Sequence, residues 1–150
     1  MKIEFELSLR KLFAECQHQS LIDAQMNRTE TGQSLVDDIA LSDKNYDIFS
    51  TELVSVVSRL YSTFANLIQF TIGTSAIKIE ISSPDVPEPS FSQSVVIGIK
   101  DYLKYAMLAW WNTSRGNSAL MAVYTAKQDE TRSYITNLIT PKAERPYRYW

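Results

Sequence analysis

The chain has 150 residues, with 15 basic and 17 acidic side chains, and its formal net charge of −2 excludes a general electrostatic attraction to nucleic acid or to an anionic membrane. Hydrophobic residues make up 45% of the chain and charged residues 21%, a composition that excludes a linker or a disordered tract. The length fits one domain with a single core, and the lone cysteine, Cys16, excludes an internal disulfide.

The first residues predict a strand that leads directly into a helix. In KIEFEL, residues 2–7, the side chains of Ile3, Phe5 and Leu7 alternate with charged ones, which is the period-two pattern of a half-buried strand. Apolar residues then recur at helical spacing over residues 9–26.

Neither a secretory signal nor a membrane span is visible in the sequence. The first residues lack the uninterrupted apolar core of a signal peptide. No stretch reaches the roughly 18 consecutive apolar residues of a membrane helix. We therefore expect a protein that is made in the cytoplasm and has no membrane partner.

The middle of the chain predicts a loop and then a long helix. NRTETGQS, residues 27–34, is rich in turn-forming residues, and a short helical turn is expected at residues 35–39. Ser42 is a suitable N-cap, and apolar residues follow it at steps of three and four from Tyr46 as far as Leu67.

A second alternating segment predicts the partner of the first strand. In AIKIEIS, residues 76–82, three isoleucines oppose Lys78 and Glu80. The length and charge pattern match those of KIEFEL, so we predict that the two segments pair in one small sheet. QFTI, residues 69–72, would join this sheet across a turn at residues 73–75.

The last half of the chain predicts a connector and two helices. Three prolines place SSPDVPEPS, residues 82–90, at the surface. Ser92 or Ser94 would cap the next helix, whose inward residues are predicted as Val95, Ile99, Tyr102, Leu103, Ala106, Met107 and Trp110.

A break at Gly116 separates this helix from the last one, which would start at Asn117 or Ser118 and end at Pro141. Its predicted inward residues are Leu120, Val123, Tyr124, Tyr134, Ile135 and Leu138.

These elements predict a mainly α fold. Residues 1–140 would form a four-helix domain with a C-terminal antiparallel helix hairpin and a small β element of two or three strands. Residues 141–150 would form an extended C-terminal tail.

Catalytic chemistry has little support in the sequence. Cys16 and His18 diverge by about 200° on a helix, so they can neither share a metal ion nor act as a nucleophile and its base. The acidic pairs at residues 37–38 and 129–130 are ordinary surface charges, and no glycine-rich phosphate loop is present. We therefore predict no enzyme, no metal and no cofactor.

Two aromatic features predict an interface. Adjacent Trp110 and Trp111 cannot both face one core, and we assign Trp111 to an interface or to a contact with the C-terminal segment. The tail ERPYRYW carries the residue types that dominate protein interfaces, so its predicted interface residues are Arg145, Tyr147, Arg148, Tyr149 and Trp150.

Pro146 favours an extended tail that lies as a strap along another surface. Packing of the strap against its own domain, or an arginine–aromatic contact with single-stranded nucleic acid, are the alternatives.

The charges are unevenly distributed along the chain. Residues 30–52 hold six acids and one base, a net charge of −5, whereas residues 115–150 hold six bases and three acids, a net charge of +3. Copies of the chain could therefore dock acidic flank to basic flank, a contact that forms a ring when the rotation closes.

The C-terminal pattern is similar to that of a known group of proteins. The proline-containing connector, the helix IKDYLKYAMLAWW, a polar break, a second helix and the terminal RPYRYW resemble small virion proteins of tailed phages and prophages of Bacteroidetes, including crAss-like phages. The likeness covers mainly residues 84–150, with further support from the helix DIFSTELVSVVSRLYSTF.

This resemblance implies a subunit of a head-to-tail connector or tail-neck ring. Such a subunit would reside in the virion in about twelve copies around the portal axis, bind the portal and other neck or tail proteins, and catalyse nothing. The tail is less basic than that of the family, which argues against direct contact with packaged DNA. The alternative function is a cytoplasmic helical protein-binding module of the regulatory or immunity type.

Overall fold

The computed structural model describes residues 2–26, 40–64, 68–82 and 89–139, without the side chains of residues 2, 61 and 89–91. Along the chain the elements are β1 (Lys2–Ser8), α1 (Leu9–Met26), a 3₁₀ turn (Asp43–Asn45), α2 (Tyr46–Ser58), α3 (Leu60–Thr63), β2 (Ile68–Ile72), β3 (Ala76–Ser82), α4 (Pro89–Ser114) and α5 (Ser118–Ile139). The predicted mainly α fold class is confirmed, because most of the described residues lie in the four long helices α1, α2, α4 and α5. Helix α3 is only a single turn.

The three strands form one antiparallel sheet in the order β1-β3-β2. Ile79 at the centre of β3 lies opposite Phe5 of β1 and Phe70 of β2, so both predicted pairings are confirmed. The β2–β3 turn is closed by the N–H of Gly73, which donates to the carbonyl oxygen of Ala76 at 2.9 Å. The isoleucines of β3 face the core.

The predicted long helix is interrupted at Arg59. Its N–H group donates to the carbonyl oxygen of Val56 at 3.1 Å, a tight i→i−3 bond that ends α2. The single turn α3 follows, and the chain enters β2 at Ile68. As far as Phe64 the apolar stripe nevertheless faces inward as predicted, and Leu67 lies outside the described residues; the buried members are Phe49, Leu53, Val56, Val57, Leu60 and Phe64.

Helix α4 begins at Pro89, earlier than the predicted caps Ser92 and Ser94. Proline suits a first helical position, where no backbone donor is required. The break before α5 is as predicted: Gly116 has φ of 71°, and Oδ1 of Asn117 accepts from the N–H of Leu120 at 3.1 Å. Helices α4 and α5 pack together as the predicted C-terminal hairpin.

The core lies where α1, α2, α4 and the inner sheet face meet. Phe49 is at its centre, with ring centroids 5.0 Å from Phe13 and 6.5 Å from Trp110. Two inward assignments on α5 were wrong, since Val123 is 47% exposed and Tyr134 is 52% exposed. Helix α5 packs against the rest of the protein on one side only, the side that carries its buried residues Tyr124, Ile135 and Ile139.

Several predictions fall on residues outside the described ranges. These are the loop at 27–34, the helical turn at 35–39, the greater part of the proline-rich connector at 83–88, the helix stop at Pro141 and the tail at 141–150.

Candidate functional site

A buried polar contact joins the first and last helices. The hydroxyl group of Tyr124 on α5 donates to Oδ2 of Asp23 on α1, and Nε2 of Gln19 donates to Oδ1 of the same carboxylate at 3.1 Å. Tyr124 is 3% exposed and Asp23 is 9% exposed. Burial, reinforced by the contact with Asp23, raises the pKa of Tyr124 well above its ordinary value.

Asp23 was missed in the sequence analysis, although a signal for it was present. The residue follows Cys16 by seven positions and Ser20 by three, so the helical period places it on the same inward face. A carboxylate on that face requires a buried donor. The donor is supplied by Tyr124, which the sequence did place inside.

Aromatic and cationic side chains continue from this contact to the surface. The ring of Tyr105 on α4 stacks on Tyr124, with centroids 6.3 Å apart and planes at 21°. Nζ of Lys127 lies 5.5 Å from the Tyr105 centroid and 5.8 Å from that of Tyr124. Lys127 is thereby held against two ring faces.

The surface beyond Tyr105 and Lys127 is a groove of about 500 Å³ between α4 and α5, here called the hairpin groove. It is lined by Ser94, Ile97, Gly98, Asp101, Tyr105, Lys127, Glu130, Thr131 and Tyr134. Gly98 lets the helices approach closely, because a Cβ atom there would lie 3.0 Å from Cγ1 of Ile135.

The hairpin groove combines apolar surface with negative charge. Ile97 is 59% exposed and Tyr134 is 52% exposed, whereas the large apolar side chains of the core are almost completely buried. Asp101 and Glu130 add two carboxylates, and no ion pair to either of them occurs within the described residues. Such a groove suits a ligand with both cationic and aromatic groups.

Cys16 and His18 are separated as the helical spacing predicted. Cys16 is fully buried in the core, and burial raises the pKa of its thiol to about 12. His18 is exposed and lines a different depression, together with Lys44 and Arg115. In the described part of the chain no three His, Cys, Asp or Glu side chains converge as a metal site.

The structure places the two indoles unequally. Trp111, which we assigned to an interface, is 4% exposed and belongs to the core, with the guanidinium carbon of Arg115 4.4 Å from its ring centroid. Trp110 is the indole that reaches the surface, where it borders a shallow depression with Ile48 and Glu52. The rotation of α4 buries Trp111 fully, whereas Trp110 packs one side of its ring against the core and leaves the other at the surface.

The other predicted interface residues, Arg145, Tyr147, Arg148, Tyr149 and Trp150, lie outside the described ranges. Their assignment to an interface stays a prediction.

Comparison with protein-family models, with curated proteins and with solved structures gave no match in any of the three. Among the described helices, none is both long and apolar enough to cross a membrane.

Proposed function

We propose that this chain is a structural virion protein, a subunit of an oligomeric ring in a phage head–tail connector or tail neck that joins portal to tail. The observation that carries the proposal is the hairpin groove, whose exposed Ile97 and Tyr134 lie beside the carboxylates of Asp101 and Glu130. Large apolar side chains exposed in a groove mark a surface suited to another polypeptide.

The resemblance of residues 84–150 to small virion proteins supports the same function. The helix hairpin that this resemblance implies is the element on which the groove lies.

The distribution of charge gives the contact a direction. Asp101 and Glu130 line the hairpin groove, whereas Arg145 and Arg148 belong to the C-terminal tail. A head-to-tail contact between unlike surfaces repeats from copy to copy and closes when the rotation per subunit divides a full turn. Catalysis has no part in this function.

Native mass spectrometry of the full chain tests the proposal. A closed ring of about twelve copies is expected, and a variant lacking residues 145–150 should remain a monomer or dimer. Replacing residues 145–150 with six glycine and serine residues is the matched control for length, and it should fail in the same way.

Two results would change this conclusion. If the shortened protein assembles as the full chain does, the ring subunit stands but the tail is not the strap that joins its copies. A full chain that stays monomeric at every concentration and with every virion component favours the alternative, a helical protein-binding module with one partner.

A further inference from the structure

We infer that the hairpin groove of one copy receives residues 145–150 of a second copy. The inference rests on the proposed function and deepens it, because it names the two surfaces by which neighbouring ring subunits would be joined.

The position of α5 gives the tail its reach. The helix ends at Ile139, and eleven residues follow it in the sequence. An extended segment of that length spans about 35 Å, enough to leave its own domain and lie on a neighbour. Pro146 restricts Arg145 to extended backbone, which suits a strap.

Charge complementarity favours the hairpin groove as the receiving surface. Asp101 and Glu130 are the acids of its lining, and Arg145 and Arg148 are the bases of the segment RPYRYW. An arginine can bind a carboxylate through two parallel hydrogen bonds. Among the described residues that line the groove, Lys127 is the one cation, and it lies against the faces of Tyr105 and Tyr124.

Apolar contacts match as well. In an extended segment Tyr147 and Tyr149 point to one side, where they can cover Ile97 and Tyr134. Ring-on-ring and ring-on-aliphatic contacts of this kind contribute most of the affinity of small interfaces.

The depression beside Trp110 is a weaker receptor, although Asp47 and Glu52 also line it. Glu52 already has a cationic neighbour, since one of its carboxylate oxygens lies 3.6 Å from a guanidinium nitrogen of Arg59. This depression therefore serves as the comparison surface in the experiments.

Photo-crosslinking locates the tail. Tyr149 is replaced by benzoyl-phenylalanine in the full chain, and this protein is mixed with an equal amount of an isotope-labelled copy before assembly and irradiation. The expected adducts join the tail to groove peptides over residues 94–105 or 127–134, with one partner light and the other heavy. Adducts within single copies only, adducts at the Trp110 depression, or none at all would overturn the inference.

Charge reversal tests the chemistry of the contact. Asp101→Lys with Glu130→Lys should weaken assembly about tenfold, and adding Arg145→Glu with Arg148→Glu should restore it. Asp47→Lys with Glu52→Lys is the matched control and should assemble normally. Asp101 is half-buried, so a lysine at this position can disturb folding. The milder pair Asp101→Asn with Glu130→Gln removes both charges at nearly constant size, and it therefore separates a loss of assembly caused by charge from one caused by a folding defect.

The outcomes separate this inference from the proposed function. Intact rings with unchanged assembly after reversal at Asp101 and Glu130 overturn the groove as receptor and leave the ring subunit standing. A chain that never assembles overturns both.

Discussion

Tyr124 donates its hydroxyl hydrogen to the buried carboxylate of Asp23, 101 residues earlier in the chain. The contact ties the last helix to the first, whereas most other contacts of α5 are with its hairpin partner α4. This polar pair therefore helps to set the orientation of the hairpin against α1, together with the hydrogen bond that the Cys16 thiol donates to the carbonyl oxygen of Lys104 on α4. A hydrogen bond has fixed geometry, so it selects one rotation of α5 where apolar contacts would tolerate several.

Tyr124→Phe should destabilise the protein by about 2 kcal/mol. The substitution removes the donor and keeps the ring, so the buried carboxylate of Asp23 loses one of its hydrogen bonds. Urea unfolding of the two proteins measures the difference. Tyr134→Phe is the matched control on the same helix, and it should change little because Tyr134 is 52% exposed. Equal effects of the two substitutions would show that the Asp23 contact contributes nothing.

The sequence predicted the sheet and the long helices of the described residues well because these elements follow from local periodicity. The alternation in residues 2–7 and 76–82 specifies two strands that each have one apolar and one charged face. When the two strands pair, the apolar faces lie together toward the core and the charged faces lie together toward solvent. The apolar stripe of α2 was likewise readable, since its buried residues repeat at helical spacing.

The exposure of individual helix residues could not be predicted from the sequence, because it depends on which elements pack against each helix. Val123 and Tyr134 are apolar residues beside buried ones, and only the one-sided packing of α5 leaves them exposed. The same holds for Trp110 and Trp111, because a rotation of one residue decides which indole is inside. The hairpin groove brings residues 94–105 together with residues 127–134, a juxtaposition that no spacing in one segment encodes.

Gly116→Ala should lower the free energy of unfolding by about 1 kcal/mol. Gly116 has φ of 71°, where a Cβ atom is unfavourable, although nothing lies within 4 Å of the added methyl group. Gly116→Asn should cost less, because asparagine tolerates this conformation. Thermal unfolding of the two variants checks the order, and an alanine variant as stable as asparagine would contradict the backbone explanation.

Phe49→Ala should destabilise the protein by about 4 kcal/mol, because it removes the ring that contacts Phe13 and Trp110 at the centre of the core. Ile48→Ala, one position earlier, is the matched control and should cost only a few tenths of a kcal/mol, since Ile48 is 60% exposed. Urea midpoints measure both. A large loss in the Ile48 variant would mean that this side chain is covered in solution, as by another copy.

Cys16 should make the protein less stable at alkaline pH. Burial raises the pKa of its thiol from 9.0 to about 12, so the folded state holds the proton more tightly than the unfolded state does. The contribution of the protonated thiol to the free energy of unfolding is therefore fully present below pH 9.0 and is lost as the pH rises toward 12. Tyr124 acts in the same direction from pH 10.0 upward, because its pKa is also raised.

Urea unfolding of the wild-type chain and of Cys16→Ala, at about pH 8 and about pH 10, isolates the thiol. The wild-type protein should lose about 1 kcal/mol more between the two pH values than the variant does, since its unfolding releases the thiol proton in addition to the proton of Tyr124 that both proteins share. Ala24→Gly is the control, because it alters another fully buried position of α1 without changing a titrating group. It should lower stability equally at both pH values. An identical pH dependence in the wild-type and Cys16→Ala proteins would show that the thiol is accessible to water in the folded state.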